Sequence, residues 1–451
     1  MNFPTDIFAG ERFAVVGLGR NGLPAARALV AMGAEVTAWD DSEAARAQAG
    51  DLRVAMPVLD GLSALVLSPG IPHSWPQPHP IAAAARAAGV PILSDADLLY
   101  RAVRASGSQA KFAGITGTNG KSTTTALLAH IIAAAGGPVA AGGNLGTAAL
   151  SLPLLGNNGV YVLEMSSYML ERIDALRFDV AVMINLSPDH IDRHGNMAGY
   201  AAAKRQVFAR QVAGDTAVIG IDDAASREMA AWLHTQPAQV VEVSSAGSVP
   251  GLDRATALPG AHNAQNAAAA TASARALGIA PEEIAKAIAS FPGLAHRQEL
   301  VAEIDGVRFI NDSKATNAES VARALACYGR VVWIAGGLAK AGGIDSLVAF
   351  FPRVAHVLLI GRDAPALAAT LAAHGVSFEV ADTLERAVPA SWACARTGAA
   401  DTVLLSPACA SFDQFSGFEA RGEQFRTLVL ELSQAAVSQA AVSQTAVGRA
   451  A

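Results

Sequence analysis

The sequence predicts an α/β protein of three domains, each built on a mainly parallel sheet. Three observations lead there. Short apolar runs alternate with helical stretches along most of the chain, the pattern of successive βα units. Two glycine-rich segments, Gly17–Gly22 and Gly114–Ser122, each follow a strand-like run and open a helix-like one. The length, 451 residues, is too great for a single hydrophobic core of usual size.

The elements follow in order. Phe13–Gly17 reads as a strand, Pro24–Met32 as a helix, Glu35–Trp39 as a second strand and Ala64–Ser68 as a third. Arg101–Lys111, with Ser106, Gly107 and Ser108, reads as a linker. A second series begins with the strand Lys111–Thr116 and continues with Val160–Glu164 and Asp179–Asn185, each a buried-type run ending in polar residues. An Ala-rich helix follows His262, and Ser290–His296, with Pro292 and Gly293, marks another boundary. The third series is Val307–Asn311, Arg330–Ala335, His356–Gly361 and Asp401–Ser406. From Gln434 the chain repeats Ala-Val-Ser-Gln, a low-complexity tail expected to be helical or frayed. The division expected is 1–94, 95–296 and 297–451, the first and last Rossmann-like and the middle one a phosphate-loop domain.

Composition excludes several classes. With 52% hydrophobic and 16% charged residues the chain is ordered and globular. A net charge of -6 lacks the basic footprint of nucleic-acid binding. The three cysteines, Cys327, Cys394 and Cys409, form no CxxC pair, which fits inert thiols in a reducing compartment. Met1–Gly10 has no signal-peptide pattern, and the apolar runs are too interrupted to span a membrane. A cytoplasmic protein is expected.

The chemistry is sought after the strands, where open α/β sheets bind ligands. Gly114-Ile115-Thr116-Gly117-Thr118-Asn119-Gly120-Lys121-Ser122-Thr123 links a strand to a helix. Its glycines let backbone N–H groups converge on phosphate oxygens, the helix N-terminus favours anions, Lys121 supplies a point charge and the Ser122 hydroxyl suits Mg²⁺. The strict phosphate-loop pattern has glycine where this chain has Ile115. Glu164 ends a strand beside that loop, and His190 follows another in Ser187-Pro188-Asp189-His190; both suit a metal or phosphate role, although such residues taken singly are more often structural. Gly17-Leu18-Gly19-Arg20-Asn21-Gly22 matches the dinucleotide fingerprint, with Asp40 and Asp41 at the spacing of a ribose contact. Alone it suggests a dehydrogenase, or only a tight turn. With an ATP-type loop downstream, a cradle for a nucleotide-linked substrate fits better.

With these segments in view the sequence resembles the Mur ligases. The resemblance is carried by Gly117–Ser122, Asn185–His194, Gly260–Asn263, Leu294–Arg297, Asn311–Asn317 and Leu405–Phe415. Asn311-Asp312-Ser313-Lys314-Ala315-Thr316-Asn317 and Ser406-Pro407-Ala408-Cys409-Ala410-Ser411 are similar to the members that add D-glutamate to UDP-N-acetylmuramoyl-L-alanine. The resemblance implies an ADP-forming amide ligase of peptidoglycan precursor synthesis, working through an acyl phosphate with ATP and Mg²⁺; a monomer is expected, although the sequence does not identify the oligomeric state. It implies ATP contacts at Gly117, Thr118, Asn119, Gly120, Lys121, Ser122, Thr123, Asn263, Asn266, Arg297 and Asp312, and metal contacts at Ser122, Glu164 and His190. Lys204 is implied as a carbamylated lysine that helps hold a metal, against the plainer reading of a solvated lysine on a polar helix face. His296 and Lys314 are implied near the reacting phosphoryl group, and Asn144 near substrate and phosphates. Thr316, Lys340, Ser411, Phe412 and Phe418 are implied in the D-glutamate site, and Arg20, Asn21, Asp40, Asp41 and Gly70 in the UDP site. The physics agrees: a carboxylate must be activated before an amine displaces oxygen from it, and the anionic transition states need cationic clamps. A folylpolyglutamate-synthase-like ligase needs no N-terminal glycine-rich domain, and a phosphate-loop switch or motor would turn over ATP without forming an amide.

Overall fold

The computed structural model describes residues 2–144, 146–340 and 342–447, with side chains to 436; Met1, Leu145, Ala341 and 448–451 lie outside the described residues. The chain forms three sheets. The first has β1 (Arg12–Val16), β2 (Glu35–Trp39), β3 (Ala64–Leu67) and β4 (Ile92–Leu93) in the order β2-β1-β3-β4, all parallel. The second has β5 (Lys111–Thr116), β6 (Val139–Gly143), β7 (Val160–Glu164), β8 (Val180–Met183), β9 (Thr216–Gly220) and β10 (Gln239–Val243) in the order β10-β9-β8-β5-β7-β6, again all parallel. The third has β11 (Glu299–Ile304), β12 (Val307–Asn311), β13 (Val331–Gly336), β14 (Val354–Ile360), β15 (Phe378–Asp382) and β16 (Thr402–Leu405) in the order β11-β12-β16-β13-β14-β15. There β11 runs antiparallel to β12 and the rest are parallel.

The inner strands β5, β7, β8 and β9 are buried almost throughout, because helices cover both faces of a parallel sheet. Edge strands β10 and β15 are only partly buried, and β6 is built of small residues, so none presents a long apolar run. Two compact units result: 1–255 with 261–291 holds the first two sheets, and 256–260 with 292–451 holds the third. One apolar cluster in the first unit runs from Phe13 and Val15 through Leu98 and Leu99 to Phe112 and Tyr161.

The linker expected at Arg101–Lys111 is mostly structured. The helix Asp95–Ala105, capped by the Ser94 hydroxyl, extends through its first half, and only 106–110 connects to β5. Arg101 is held there by buried Asp97, which takes its Nε at 2.8 Å while also accepting the amides of Asp174, Ala175 and Leu176. The tail continues the helix Phe418–Val447. Burial pushes the Cys327 and Cys409 thiols up to about 11 and also raises Cys394, so the sulfurs stay protonated near neutrality.

Candidate active site

In the second sheet the register aligns Gly143, Glu164, Ile115 and, one step along, Thr116 with Met183 at the carboxyl edge, so four successive loops leave from one rim. The phosphate loop runs from β5 into the helix Lys121–Ala134. Gly120 is left-handed, φ 84°, and a Cβ there would stand 2.1 Å from Asn266 Oδ1, so the position excludes a side chain. The loop is held from β8's side: Thr118 N donates to Asn185 O at 2.9 Å and Asn119 N to Asn185 Oδ1 at 2.9 Å. Ser187 N donates to Thr118 Oγ1 at 3.0 Å. Lys121 Nζ folds back on Gly117 O at 3.0 Å and Thr118 O at 2.9 Å. Asn266 and Asn263, both buried, are joined side chain to side chain at 3.0 Å.

Lys204 does not sit on a solvated face. The helix Met197–Arg205 turns it inward, 1% exposed, where Nζ donates to the same Gly117 O at 2.8 Å and to Thr116 Oγ1 at 3.3 Å. Burial, then the Lys121 charge, push its ammonium well below its ordinary range, against a smaller pull from Asp189 and Glu164. Glu164 is 2% exposed; its Oε1 accepts Asn144 Nδ2 at 2.8 Å, and its Oε2 is buried with no hydrogen-bond partner among the described residues. His190 adopts a left-handed φ of 51° and remains half-exposed; burial is the main cause that lowers its pKa, with Asp189 opposing. Among the described residues no group of three or more His, Cys, Asp or Glu is arranged to hold a metal.

At the first sheet the fingerprint glycines are packed tightly. A Cβ on Gly22 would stand 1.8 Å from Gly17 O, so the helix Gly22–Ala31 can start there only on glycine. Asp40 accepts Leu18 N at 2.7 Å and Ser42 N at 2.8 Å, and Asp41 bonds Trp39 Nε1 and His79 Nε2 at 3.1 Å each. The His79 bond, followed by that of Trp39, lowers the Asp41 pKa. Arg20 and Asn21 reach the loop beyond β6, bonding Gly146 O and Gly143 O at 3.3 Å each. Gly70 is exposed on the turn after β3, with open space beside it.

In the second unit His296, left-handed at φ 62°, is buried; its Nδ1 lies 3.0 Å from Asn311 Nδ2 and its Nε2 3.4 Å from Glu423. Asp312 accepts Ser406 Oγ at 2.8 Å and Gln298 N at 3.2 Å, and burial raises its carboxyl to about 7 despite Ser406 and Arg297. Lys314 Nζ stands 5.4 Å over the Phe418 ring, while Thr316 N bonds Lys314 O. Lys340 is exposed and lines a hollow of about 450 Å³ with Asn317, Ala318, Ser346 and Ala408. Ser411 is 2% exposed, whereas Phe412 is 71% exposed, its ring standing out from the protein.

Residues 115–255 match the Mur ligase middle domain and residues 296–409 the Mur ligase, glutamate ligase domain. The UDP-N-acetylmuramoylalanine--D-glutamate ligases of Paramagnetospirillum magneticum and Rhodospirillum rubrum are each 49% identical, covering 95% and 94% of this chain and 98% and 96% of their own. The chain belongs to the Mur ligase family. Solved structures share the fold: MurF from Acinetobacter baumannii has a TM-score of 0.58 at 17% identity, covering 94% of this chain and 93% of its own. For the UDP-N-acetylmuramate-alanine ligase MurC of Thermotoga maritima the values are 0.55, 18%, 93% and 99%.

In this Mur ligase the residues singled out from the sequence therefore fall into three groups. Lys121, Ser122, Asn144, Glu164, His190, Lys204, Asn263 and Asn266 belong to the second sheet and its helices; Arg20, Asn21, Asp40, Asp41 and Gly70 belong to the first. His296, Arg297, Asp312, Lys314, Thr316, Lys340, Ser411, Phe412 and Phe418 belong to the other unit. Several supporting groups were invisible as motifs. Arg421, 1% exposed, donates to Ser313 O, Ser313 Oγ, Cys409 O and Gly336 O, so one guanidinium ties the loops after three adjacent strands, β12, β16 and β13. Its only sequence signal is its position three residues into the last helix. Asn185, Tyr200 and Arg172 support the first unit in the same unannounced way.

Proposed function

We propose that the protein joins D-glutamate to UDP-N-acetylmuramoyl-L-alanine with conversion of ATP to ADP and phosphate, a cytoplasmic step in making peptidoglycan precursors. The observation that carries this is the 49% identity, over 95% of the chain, to a relative named for that reaction. In this reading the first sheet holds the UDP moiety, the second ATP and the third the incoming amino acid, and the enzyme acts as a monomer. Among the described residues no helix is long and apolar enough to cross a membrane.

The chemistry has two steps. A carboxylate oxygen of the UDP substrate attacks the γ-phosphorus and ADP leaves, giving an acyl phosphate. The D-glutamate nitrogen then attacks the acyl carbon, phosphate leaves and the nitrogen gives up a proton. Lys121 moves from the loop carbonyls to the transferring phosphate, while the loop amides and the helix N-terminus hold the others. Thr118, Asn119, Gly120, Ser122 and Thr123 complete that cradle, with Asn263 and Asn266 serving the same nucleotide. In the other unit Arg297 and Asp312 would serve ATP, Lys314 and His296 phosphoryl transfer, and Thr316, Lys340, Ser411, Phe412 and Phe418 D-glutamate. Excluding water until the amine attacks protects the acyl phosphate.

Magnesium fits the residues present. The buried Oε2 of Glu164, without a hydrogen-bond partner among the described residues, suits a cation, and Ser122 and His190, which follow strands of the same sheet, would offer an oxygen and a nitrogen. Burial disfavours the Lys204 ammonium, and the neutral amine would react with CO₂ to give a carbamate anion and a proton, adding two oxygens to a set otherwise poor in anions. The bound ion would neutralise charge developing on the phosphate oxygens.

The deciding assay follows phosphate release from ATP in the presence of UDP-N-acetylmuramoyl-L-alanine, with and without D-glutamate. Release coupled to amide formation only when both are present is the expected result; equal release without D-glutamate would point to an ATPase. Lys340→Ala should raise the KM for D-glutamate while the acyl phosphate can still be chemically trapped. A variant unable to form that intermediate would refute this division of labour.

A further inference from the structure

Arg172 lies outside every segment used above, yet it is 2% exposed and uses its whole guanidinium. Nη1 donates to Leu67 O at 2.9 Å and Ser68 O at 3.1 Å, Nη2 donates to Ile71 O, and Nε reaches His73 Nδ1 at 3.4 Å. All four acceptors lie on one turn of the first sheet, the turn that carries Gly70. Its own backbone carbonyl accepts Ser94 N at 2.8 Å. Burial, then the Arg193 charge, lower the Arg172 pKa to about 10, which leaves it a cation at neutrality. Burial lowers His73 to about 4, so its imidazole is neutral and its Nδ1 can accept. The 3.9 Å approach of Glu171 to that nitrogen is therefore no ion pair.

The preceding residue turns the other way. Glu171 Oε1 meets His194 Nδ1 at 3.3 Å, and His194 Nε2 pairs with Ser167 Oγ at 2.9 Å. The buried His194 ring packs against Tyr200 at 5.4 Å, the Tyr200 hydroxyl lies 3.4 Å from Thr118 Oγ1, and Lys204 Nζ stands 4.7 Å over the Tyr200 ring. Glu171 and Arg172 thus support the two ligand-facing loops of the first unit from one dipeptide.

We infer that Glu171–Arg172 is a two-sided positioning element: Arg172 shapes the turn that receives the UDP substrate, and Glu171, through His194 and Tyr200, shapes the phosphate loop. The inference rests on the proposed placing of the UDP moiety at the Gly70 turn. Neither residue is catalytic. A lysine at 172 keeps the charge but offers a point donor where four acceptors converge on a planar fork.

The test pairs calorimetry with kinetics, using the full-length protein. Arg172→Lys should weaken UDP binding and raise the KM for UDP-N-acetylmuramoyl-L-alanine by about tenfold, with kcat and the KM for ATP changed by less than about threefold. Glu171→Gln should do the reverse, raising the KM for ATP and sparing UDP binding. Should Arg172→Lys not fold, His73→Ala removes one acceptor of the clasp and should give a smaller rise, about threefold, on the UDP side alone. The inference fails if Arg172→Lys and His73→Ala leave UDP affinity unchanged, or if UDP and ATP affinities fall together in each variant. Wild-type protein that binds UDP but forms no amide would overturn the proposed reaction and leave the inference to be judged on UDP affinity. Wild-type protein that does not bind UDP would overturn both.

Discussion

The two glycine loops look alike in sequence and are spent differently. In the Gly17–Gly22 loop the polar groups are largely engaged with the protein itself: Asp40 binds the Leu18 and Ser42 amides, and Arg20 and Asn21 bind carbonyls of the loop beyond β6. At the Gly114–Ser122 loop two amines, Lys121 and Lys204, converge on one carbonyl oxygen, that of Gly117, and beside it Glu164 Oε2 is buried without a hydrogen-bond partner among the described residues. The first arrangement is a finished turn. The second is an unbalanced one, with amine donors and an unpaired acceptor that a phosphate and a cation would complete. A fingerprint motif therefore reports backbone geometry, whereas unsatisfied charge reports chemistry.

The contrast is broken most directly at Lys121. Lys121→Ala should lower turnover by at least ~10²-fold with the melting temperature little changed. Steady-state ligation and a thermal melt check this, and near-normal turnover in the folded variant would remove the loop from the mechanism. Lys204→Ala should lose activity by about 10- to 100-fold, and a short-chain carboxylic acid should restore part of it by supplying the missing anion. Nuclear magnetic resonance of wild-type protein equilibrated with ¹³CO₂ should show a carbamate signal absent from the variant; full activity of Lys204→Ala in CO₂-depleted buffer would contradict the assignment.

A milder effect is expected where the first loop meets the segment after β6. Asp95 is buried, accepts Ala149 N at 2.9 Å and is hydrogen-bonded by Asn21; burial outweighs these bonds and raises its carboxyl from an ordinary 3.8 to about 6. The folded state thus binds this proton more tightly than the unfolded state. The stability so gained is fully present below about pH 3.8 and is lost as pH rises through about 6. Asp95→Asn should remove that slope, roughly 2–3 kcal/mol across the interval, as read from urea midpoints against pH. An unchanged slope would assign the effect to other groups. The smallest effect belongs to Arg20→Ala. Its hydrogen bond to Gly146 O is long, at 3.3 Å, and exposed, so KM for the UDP substrate should change by less than about threefold. A larger rise would show that the first loop, too, keeps a charge for its ligand.

Much of the fold was legible because inner parallel strands must be apolar along their whole length. Lys111–Thr116, Val160–Glu164 and Val307–Asn311 stand in the structure at the ends read from the sequence, as does the edge strand Glu35–Trp39. The edge strands β10, β11 and β15 were not legible, since a half-buried strand carries charges such as Glu242, Glu303 and Glu379 that break the run. Arg101–Ala105 was misjudged as linker because the Ser106-Gly107-Ser108 signal ends a helix as readily as it marks a loop.

By itself the sequence determined which loops could carry phosphate chemistry. Glycine, lysine and serine at those spacings are demanded by backbone approach and charge, and both are local requirements. Tertiary structure decided the rest. Whether Lys204 points to water or inward depends on what packs over its helix, and it points inward, onto Gly117 O. That Arg172 holds the Gly70 turn, that Arg421 reaches back to Ser313, and that Glu164 keeps one oxygen unpaired among the described residues depend on groups that are, for the arginines, about a hundred residues away. Hydrogen bonding and desolvation act on distance in space, and no spacing along the chain encodes it.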